Sequence, residues 1–209
     1  IYAEKLTQAV FARVMVNSNG LNLNFYNKAH NAGVDINLKN GAYQNLTFSD
    51  MVITNNGKGV QHGAGLLIKA RNDAPSYNTV PASLAGVTIN GGVFTNNERG
   101  IRFGEPGATT LNSGPTGVTI SGASIFDNEA EYLETASAIG DIVNQTTAAI
   151  VATGNWWNGV PAVGMGPGAG TLNLGSPLAT SPEMVIWMPV EVYNPPATGI
   201  FNFTVPVKY

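Results

Sequence analysis

Three cations in the middle of the chain are the residues best suited to chemistry on an acidic substrate. Lys58 and Arg99 follow the similar runs Thr-Asn-Asn-Gly and Thr-Asn-Asn-Glu, and Arg102 stands shortly after them. Paired cations can bind the carboxylate of a uronic acid, and an amine that has lost its proton can abstract the C5 proton of the sugar. The three residues are therefore the candidate site of a polysaccharide lyase. The alternative is a solvated ladder of charges on a turn, because surface ion pairs are common.

Carboxylates around a third, similar segment, Phe126-Asp127-Asn128, are weaker candidates for a metal site. Asp127, Glu129 and Glu131 alternate around one predicted turn, and hard oxygen ligands of this kind bind Ca²⁺. The sequence contains no Asp-x-Asp-x-Asp-Gly loop and no Gly-Gly-x-Gly-x-Asp repeat. We therefore predict no cofactor and no metal, with Ca²⁺ as the weak alternative.

Five further residues are candidates for binding a glycan without catalysis. Flat aromatic rings bind sugar faces by apolar contact. Two long insertions between repeats, residues 71–81 and 104–115, are expected to emerge on one side and form a binding face. Trp156 is expected to face outward, since neighbours on a strand point oppositely and Trp157 matches a core position. The alternative is that the rings only cover the end of the fold. The candidates are Arg71, Tyr77, Glu105, Tyr132 and Trp156.

A repeated template must position these residues. Leu46, Val87 and Val118 occupy equivalent places, 41 and 31 residues apart, and Ile150 follows after another 32. A period in this range is typical of stacked repeats, in which no unit buries its apolar face alone. We expect like residues to lie above like, with the columns Leu46/Val87/Val118 and Phe48/Ile89/Ile120 inside and Asn56/Asn97/Asn128 at a corner.

Short alternating apolar runs broken by Gly and Asn favour strands and tight corners over helices. The repeats, with the run Gly154-Asn155-Trp156-Trp157-Asn158 and Gly166-Pro167-Gly168 after them, resemble the right-handed parallel β-helix of the pectate-lyase-like superfamily, and especially its surface-protein and copper-maturation-periplasmic-protein-like repeats. The resemblance implies an all-β solenoid and, among enzymes, polysaccharide lyase or hydrolase chemistry. No adjacent Asp-Asp pair is present, so the carboxylates expected of the hydrolases are missing.

Both ends depart from the repeat. Residues 1–20 are predicted to form an N-terminal cap with a short helix, because Leu6, Val10, Phe11 and Val14 have helical spacing. Residues 21–160 are predicted to form the β-helix, of about five coils. Residues 161–209 are predicted to form a C-terminal cap and a strand-rich tail, which either folds back on its own chain or adds a strand to a neighbour.

Net charge and composition argue against two classes of protein, those that bind nucleic acid and those that span a membrane with a helix. The net charge of −3 offers no basic field for nucleic acid, and no apolar run is long enough for a transmembrane helix. The absence of Cys excludes disulfides and thiolate metal sites, while the low charge and the abundance of Gly, Asn and Thr agree with an exported protein. The chain begins at Ile1 without Met or a signal segment, which favours a mature or excised fragment.

Three functions fit these observations. The favoured one is an extracellular or cell-surface module for adhesion or structural assembly, in one form binding polysaccharide. The others are a lyase for uronate polymers and a filament subunit that exchanges its terminal strand. The expected partners are thus polysaccharides or further copies of the same protein.

Overall fold

The described part of the chain consists of short strands and contains no α-helix. The computed structural model describes residues 1–21, 31–106, 110–132, 134–190 and 201–207, with only the backbone described for 184–190 and 201–207. One 3₁₀ turn spans Ala136–Ala138. In chain order the strands are β1 (Tyr2–Ala3), β2 (Val10–Ala12), β3 (Met15–Asn17), β4 (Ala32–Leu38), β5 (Gly41–Ser49), β6 (Val52–Thr54), β7 (Ala64–Ala70), β8 (Ala82–Asn90), β9 (Val93–Thr95), β10 (Ile101–Phe103), β11 (Thr116–Ser121), β12 (Ser124–Phe126), β13 (Ile142–Asn144), β14 (Ile150–Val151), β15 (Val163–Met165), β16 (Leu172–Asn173), β17 (Met184–Val190) and β18 (Phe201–Val207).

Three parallel sheets enclose the core. Sheet A has the order β1-β4-β7-β10-β13-β15, sheet B β2-β5-β8-β11-β14-β16, and sheet C β3-β6-β9-β12. All strand pairs within these sheets are parallel. The chain visits A, B and C in turn, so each circuit adds one coil to the stack. The predicted parallel β-helix is confirmed.

The register of sheet B follows the sequence repeat. Leu46 pairs with Val87, Val87 with Val118, and Val118 with Ile150. The second predicted column, Phe48/Ile89/Ile120, is aligned in the same way. All seven residues are at most 1% exposed. The core is therefore a set of columns that run between coils, as the repeat predicts.

The predicted asparagine column is a hydrogen-bonded ladder. Each side-chain oxygen accepts from the backbone N–H and the side-chain amide of the preceding residue of the ladder, at 2.9–3.3 Å. The amides also donate to strand carbonyls, as Asn56 does to Val16 at 3.0 Å. From the N-terminal side the ladder contains Asn19, Asn56, Asn97, Asn128 and finally Asp141.

The N-terminal capping helix is a wrong prediction. Residues 2–17 form a coil of the stack, since β1, β2 and β3 pair in parallel with β4, β5 and β6. Gln8, Arg13 and Ser18 have φ values of 53°, 54° and 57°, and each makes a corner that a helix does not tolerate. Corners five residues apart turn Leu6, Phe11 and Val14 toward the same core. The apolar residues of this coil have helical spacing because its strands are short and its corners lie close together in the sequence.

The C-terminal tail is rich in strands, as predicted. β17 and β18 pair with each other as an antiparallel hairpin, from Met184 opposite Val207 to Val190 opposite Phe201. Before this hairpin, Leu178 donates its N–H to the Asn155 carbonyl at 2.8 Å, and the Ser181 and Ser124 hydroxyls lie 2.8 Å apart. The described residues include no helix of the length and apolar character that crossing a bilayer requires.

Candidate functional site

Buried charges line the outer face of sheet A. In β4, Val34 and Ile36 belong to the core, so Asp35 between them points away from it. Lys69 of β7 and Arg102 of β10 also point away from the core, yet these three residues are only 2%, 0% and 0% exposed. Charged side chains are rarely buried unless they are paired. Connections between strands must therefore cover this face and supply partners.

Glu134 is the acidic centre of the first group of charges, which we call the Glu134 cluster and which contains His62, Arg99, Arg102 and Glu134. Its Oε2 lies 2.6 Å from Nη2 of Arg99 and 3.6 Å from Nη2 of Arg102. Its Oε1 lies 3.0 Å from Nδ1 of His62 and accepts the His62 backbone N–H at 3.1 Å. One carboxylate thus joins the connection after β12 to three side chains from two earlier coils.

Both arginines also donate to backbone carbonyls. Arg99 donates to Ala138 at 2.5 Å and to Gly63 at 2.9 Å. Arg102 donates to Ala138 at 3.0 Å and to His62 at 3.2 Å. The two guanidinium groups are completely buried between the segments that they join. In this arrangement their donors serve the protein's own chain, except Nε of Arg102, which has no hydrogen-bond partner among the described residues.

The electrostatics of the cluster match this role. Burial alone would raise the pKa of Glu134, but the His62 hydrogen bond and the charges of Arg99 and Arg102 lower it to about 2. Burial, together with the charge of Arg99, lowers the pKa of Arg102 to about 9 against the opposing effect of Glu134. Burial likewise lowers the pKa of Arg99. At neutral pH the cluster therefore contains a carboxylate between two guanidinium ions.

Glu98 fixes the same covering segment by a different contact. Its carboxylate accepts the backbone N–H of Gly59 at 2.8 Å, of Glu131 at 3.0 Å and of Tyr132 at 2.6 Å. Glu98 is completely buried, and such charge-assisted bonds to backbone N–H groups are strong. This residue holds the connection after β12 against the connection after β6.

Lys58 and Arg99 have different partners despite their equivalent positions in the repeat. Nζ of Lys58 donates to the Glu129 carbonyl at 2.7 Å and lies 3.2 Å from the Glu131 carboxylate. Arg99 instead points into the Glu134 cluster with Arg102. Lys58 therefore belongs to a half-exposed ion pair, whereas the other two lyase candidates, Arg99 and Arg102, belong to the buried Glu134 cluster.

A second group of charges lies beside the first, and we call it the Lys69 cluster: Asp35, Lys69, Arg71, Asp73 and Glu105. Nζ of Lys69 lies 3.0 Å from Oδ1 of Asp35 and 3.6 Å from Oε2 of Glu105. Arg71 contacts the same Glu105 oxygen at 3.2 Å and binds Asp73 through two bonds of 2.6 and 2.7 Å. In these ion pairs positive and negative side chains alternate, and together they link neighbouring coils.

Three of the five predicted binding residues meet at this cluster. The guanidinium carbon of Arg71 lies 4.3 Å from the ring centroid of Tyr77, and Arg71 contacts Glu105. The insertions that carry them also touch, because Asn112 donates to Asn72 and Asp73 at 3.1 Å. The two insertions therefore emerge together on one side of neighbouring coils, as the sequence predicts.

The other two binding candidates lie elsewhere. Tyr132 is 38% exposed and is held by its backbone bond to Glu98. Trp156 stands edge-on to Phe126, with ring centroids 5.1 Å apart, on the outer face of sheet C. Trp157 is buried in the core. Within the described part of the chain, neither Tyr132 nor Trp156 makes a contact that joins it to Tyr77.

The weak metal candidates also separate. Asp127 is a corner residue with φ of 53°, Glu129 offers its carbonyl to Lys58, and Glu131 pairs with Lys58. Within the described ranges, no three residues of the His, Cys, Asp and Glu types are grouped closely enough to hold a metal ion.

The sequence alone did not assign a structural role to several residues on which the two clusters and the asparagine ladder depend. Asp35 and Lys69 each interrupt an apolar strand, and a charge at an alternating strand position was the available signal. Glu134 and Asp141 follow the last clear repeat, where no equivalent coil position marks them. Comparisons with protein-family models, with curated proteins and with solved structures found no match to this chain.

Proposed function

We propose that the chain is a non-catalytic module of an extracellular or cell-surface protein, which serves adhesion or structural assembly. The observation that carries this proposal is the state of Arg99 and Arg102. A residue that captures a substrate carboxylate needs free donors at a surface, whereas these guanidinium groups are buried and bound to Glu134 and to backbone carbonyls. Their chemistry is better suited to fastening loops over sheet A.

The architecture supports the same proposal. A stack of parallel coils is stabilised by contacts between neighbours and forms an extended, rigid surface. Such a surface suits attachment and spacing, and the fold class alone does not imply an enzyme. We assign the chain by resemblance to the β-helical surface-protein repeats of the pectate-lyase-like superfamily.

The paired insertions are our proposed contact surface for polysaccharide. Tyr77 and Asn72 are half-exposed, and the Arg71 guanidinium lies against the Tyr77 ring. A flat ring beside polar side chains offers both apolar and hydrogen-bonding contacts to a sugar. Binding here requires no acid or base.

One assay separates this proposal from the lyase. The protein is incubated with uronate-containing polysaccharides, and unsaturated products are followed by ultraviolet absorbance while bound protein is measured by co-sedimentation with insoluble polymer. We expect binding without product release. Tyr77→Ala should weaken binding, and Tyr132→Ala, on a different surface, should leave it unchanged. Product release that Lys58→Ala abolishes would overturn the proposal.

A further inference from the structure

Lys69, Asp35 and Glu105 have the arrangement needed to form a covalent link between neighbouring coils. We propose that Nζ of Lys69 and the side-chain carboxyl carbon of Asp35 join in an amide bond between β7 and β4, with Glu105 transferring the protons. This self-modification goes beyond the proposed function and does not depend on it.

The reacting groups are already in contact. Nζ of Lys69 lies 3.0 Å from Oδ1 and 3.1 Å from Oδ2 of Asp35, and 3.6 Å from Oε2 of Glu105. Asp35 is opposite Leu67 in the register of the sheet, so Lys69 is its diagonal neighbour on the adjacent strand. Fixed proximity of this kind replaces an encounter in solution by an intramolecular step.

Burial distinguishes this pair from the other lysine ion pairs among the described residues. Lys69 is the only buried lysine among the described residues, with its side chain 0% exposed and that of Asp35 3% exposed. The side chains of the Lys39–Glu4 and Lys58–Glu131 pairs are between 17% and 60% exposed. Water stabilises those ions, whereas burial removes this stabilisation from the Lys69–Asp35 pair, and one proton transfer within the pair gives the neutral amine and the neutral acid that react.

The state of Asp35 agrees with this chemistry. Burial raises the pKa of Asp35 to about 6 although Lys69 opposes the shift. A protonated carboxyl is the form that an amine can attack, and desolvation activates lysine as a nucleophile. Glu105 stays within reach of Nζ while Arg71 contacts the same Glu105 oxygen at 3.2 Å.

The reaction balances with no further reagent. The lone pair of the neutral Lys69 amine attacks Cγ of protonated Asp35, forming the C–N bond and a tetrahedral intermediate. Glu105 accepts a proton from the nitrogen and returns it to a hydroxyl on Cγ, and the C–O bond breaks as water leaves. The product is a secondary amide and one water molecule, with no oxidation or reduction.

Such a link has a structural consequence in this chain. The sequence contains no Cys, so disulfides cannot cross-link its coils. A bond between residues 35 and 69 would close a loop through one whole coil and restrict the unfolded chain, as a disulfide does. It would also remove two buried charges from sheet A.

Intact mass measurement of the folded, then denatured, protein tests the proposal. We expect a mass lower than that of the sequence by one water molecule. Trypsin should release residues 29–39 joined to residues 59–71, because modified Lys69 resists cleavage. The unmodified mass after prolonged incubation of the folded protein would overturn the proposal, and so would a water loss that maps to other peptides.

Variants assign the roles of the three side chains. Lys69→Arg should retain its full mass, while Lys39→Arg, a change at a solvated lysine, should still lose water. Asp35→Asn should lose ammonia instead and reach the same product mass as the wild-type chain. Glu105→Gln should form the link about 100-fold more slowly, the usual loss when a general acid–base group is removed. Equal rates of link formation in the wild-type protein and in Glu105→Gln would contradict the role given to Glu105.

Discussion

The side-chain amide of Asn128 donates to the carboxylate of Asp141 at 2.9 Å, and this contact ends the asparagine ladder. Asn56, Asn97 and Asn128 each accept from one neighbour and donate to the next, whereas a carboxylate only accepts. The other oxygen of Asp141 accepts the Ala162 N–H at 3.1 Å. Asp141 therefore closes the ladder and attaches the following coil.

Replacing Asp141 by Ala should destabilise the protein. The change leaves the buried backbone N–H of Asn128 without its side-chain acceptor, and it also removes the acceptor of the exposed Ala162 N–H. A buried donor left unsatisfied costs about 1–3 kcal/mol. The free energy of unfolding in urea measures this loss. Glu129→Ala, an exposed change one residue after Asn128, serves as the comparison, and an equal effect of both changes would contradict a specific role for Asp141.

Glycines leave room for the ladder, and adding a methyl group to one should be costly. A Cβ at Gly65 would stand 2.8 Å from both Asn97 Cγ and the Gly100 carbonyl. Gly65→Ala should therefore lower the free energy of unfolding by about 1–3 kcal/mol through overpacking. Gly166→Ala is the control, because its Cβ meets the flexible end of Leu111 at 3.3 Å. Equal tolerance of both changes would show that the ladder can shift.

The core columns should respond to truncation in the ordinary way. Ile89 is 0% exposed in the middle of its column, whereas its neighbour Thr88 faces solvent. Ile89→Ala should cost about 2–5 kcal/mol in the free energy of unfolding. Thr88→Ala should stay within about 0.5 kcal/mol, as surface changes usually do. A small effect at Ile89 would place it outside the stacked core.

Acid should weaken the Glu134 cluster over a defined range. The pKa of Glu134 is lowered from 4.5 to about 2, so its carboxylate stabilises the fold above pH 4.5. This contribution is lost as the pH falls from 4.5 through 2. Unfolding free energies across that range should decline less steeply in Glu134→Gln than in the wild-type protein. Parallel slopes would show that Glu134 does not contribute to the acid response.

The repeat predicted the parts of the structure that recur between coils. The Leu46 and Phe48 columns and the asparagine column recur because each residue type meets the same surroundings one coil later. The first coil escaped prediction because Gln8, Arg13 and Ser18 make its corners, where later coils use mainly Asn, Asp and Gly. Positive φ is uncommon for such residues, and only their neighbours in the stack reveal it.

The charged clusters could be predicted only in part. Arg99 and Arg102 stood out as cations, but their burial depends on Glu134, which lies in a connection without a repeat. The contact between Arg71, Tyr77 and Glu105 followed from insertions at matching points of adjacent coils. Which charged side chains pair on the outer face of sheet A depends on which connection between strands folds over that face. The local sequence does not specify the path of this connection.

The free energy of unfolding of Glu134→Gln tests most directly whether the buried charges serve the fold. The substitution removes the anion between Arg99 and Arg102 with little change of shape. We predict a loss of about 3–5 kcal/mol, the usual cost of removing one partner of a buried ion pair. Glu129→Gln, an exposed change in the same segment, should stay within about 0.5 kcal/mol. Unchanged or increased stability in Glu134→Gln is typical of residues kept for activity and would contradict a structural role.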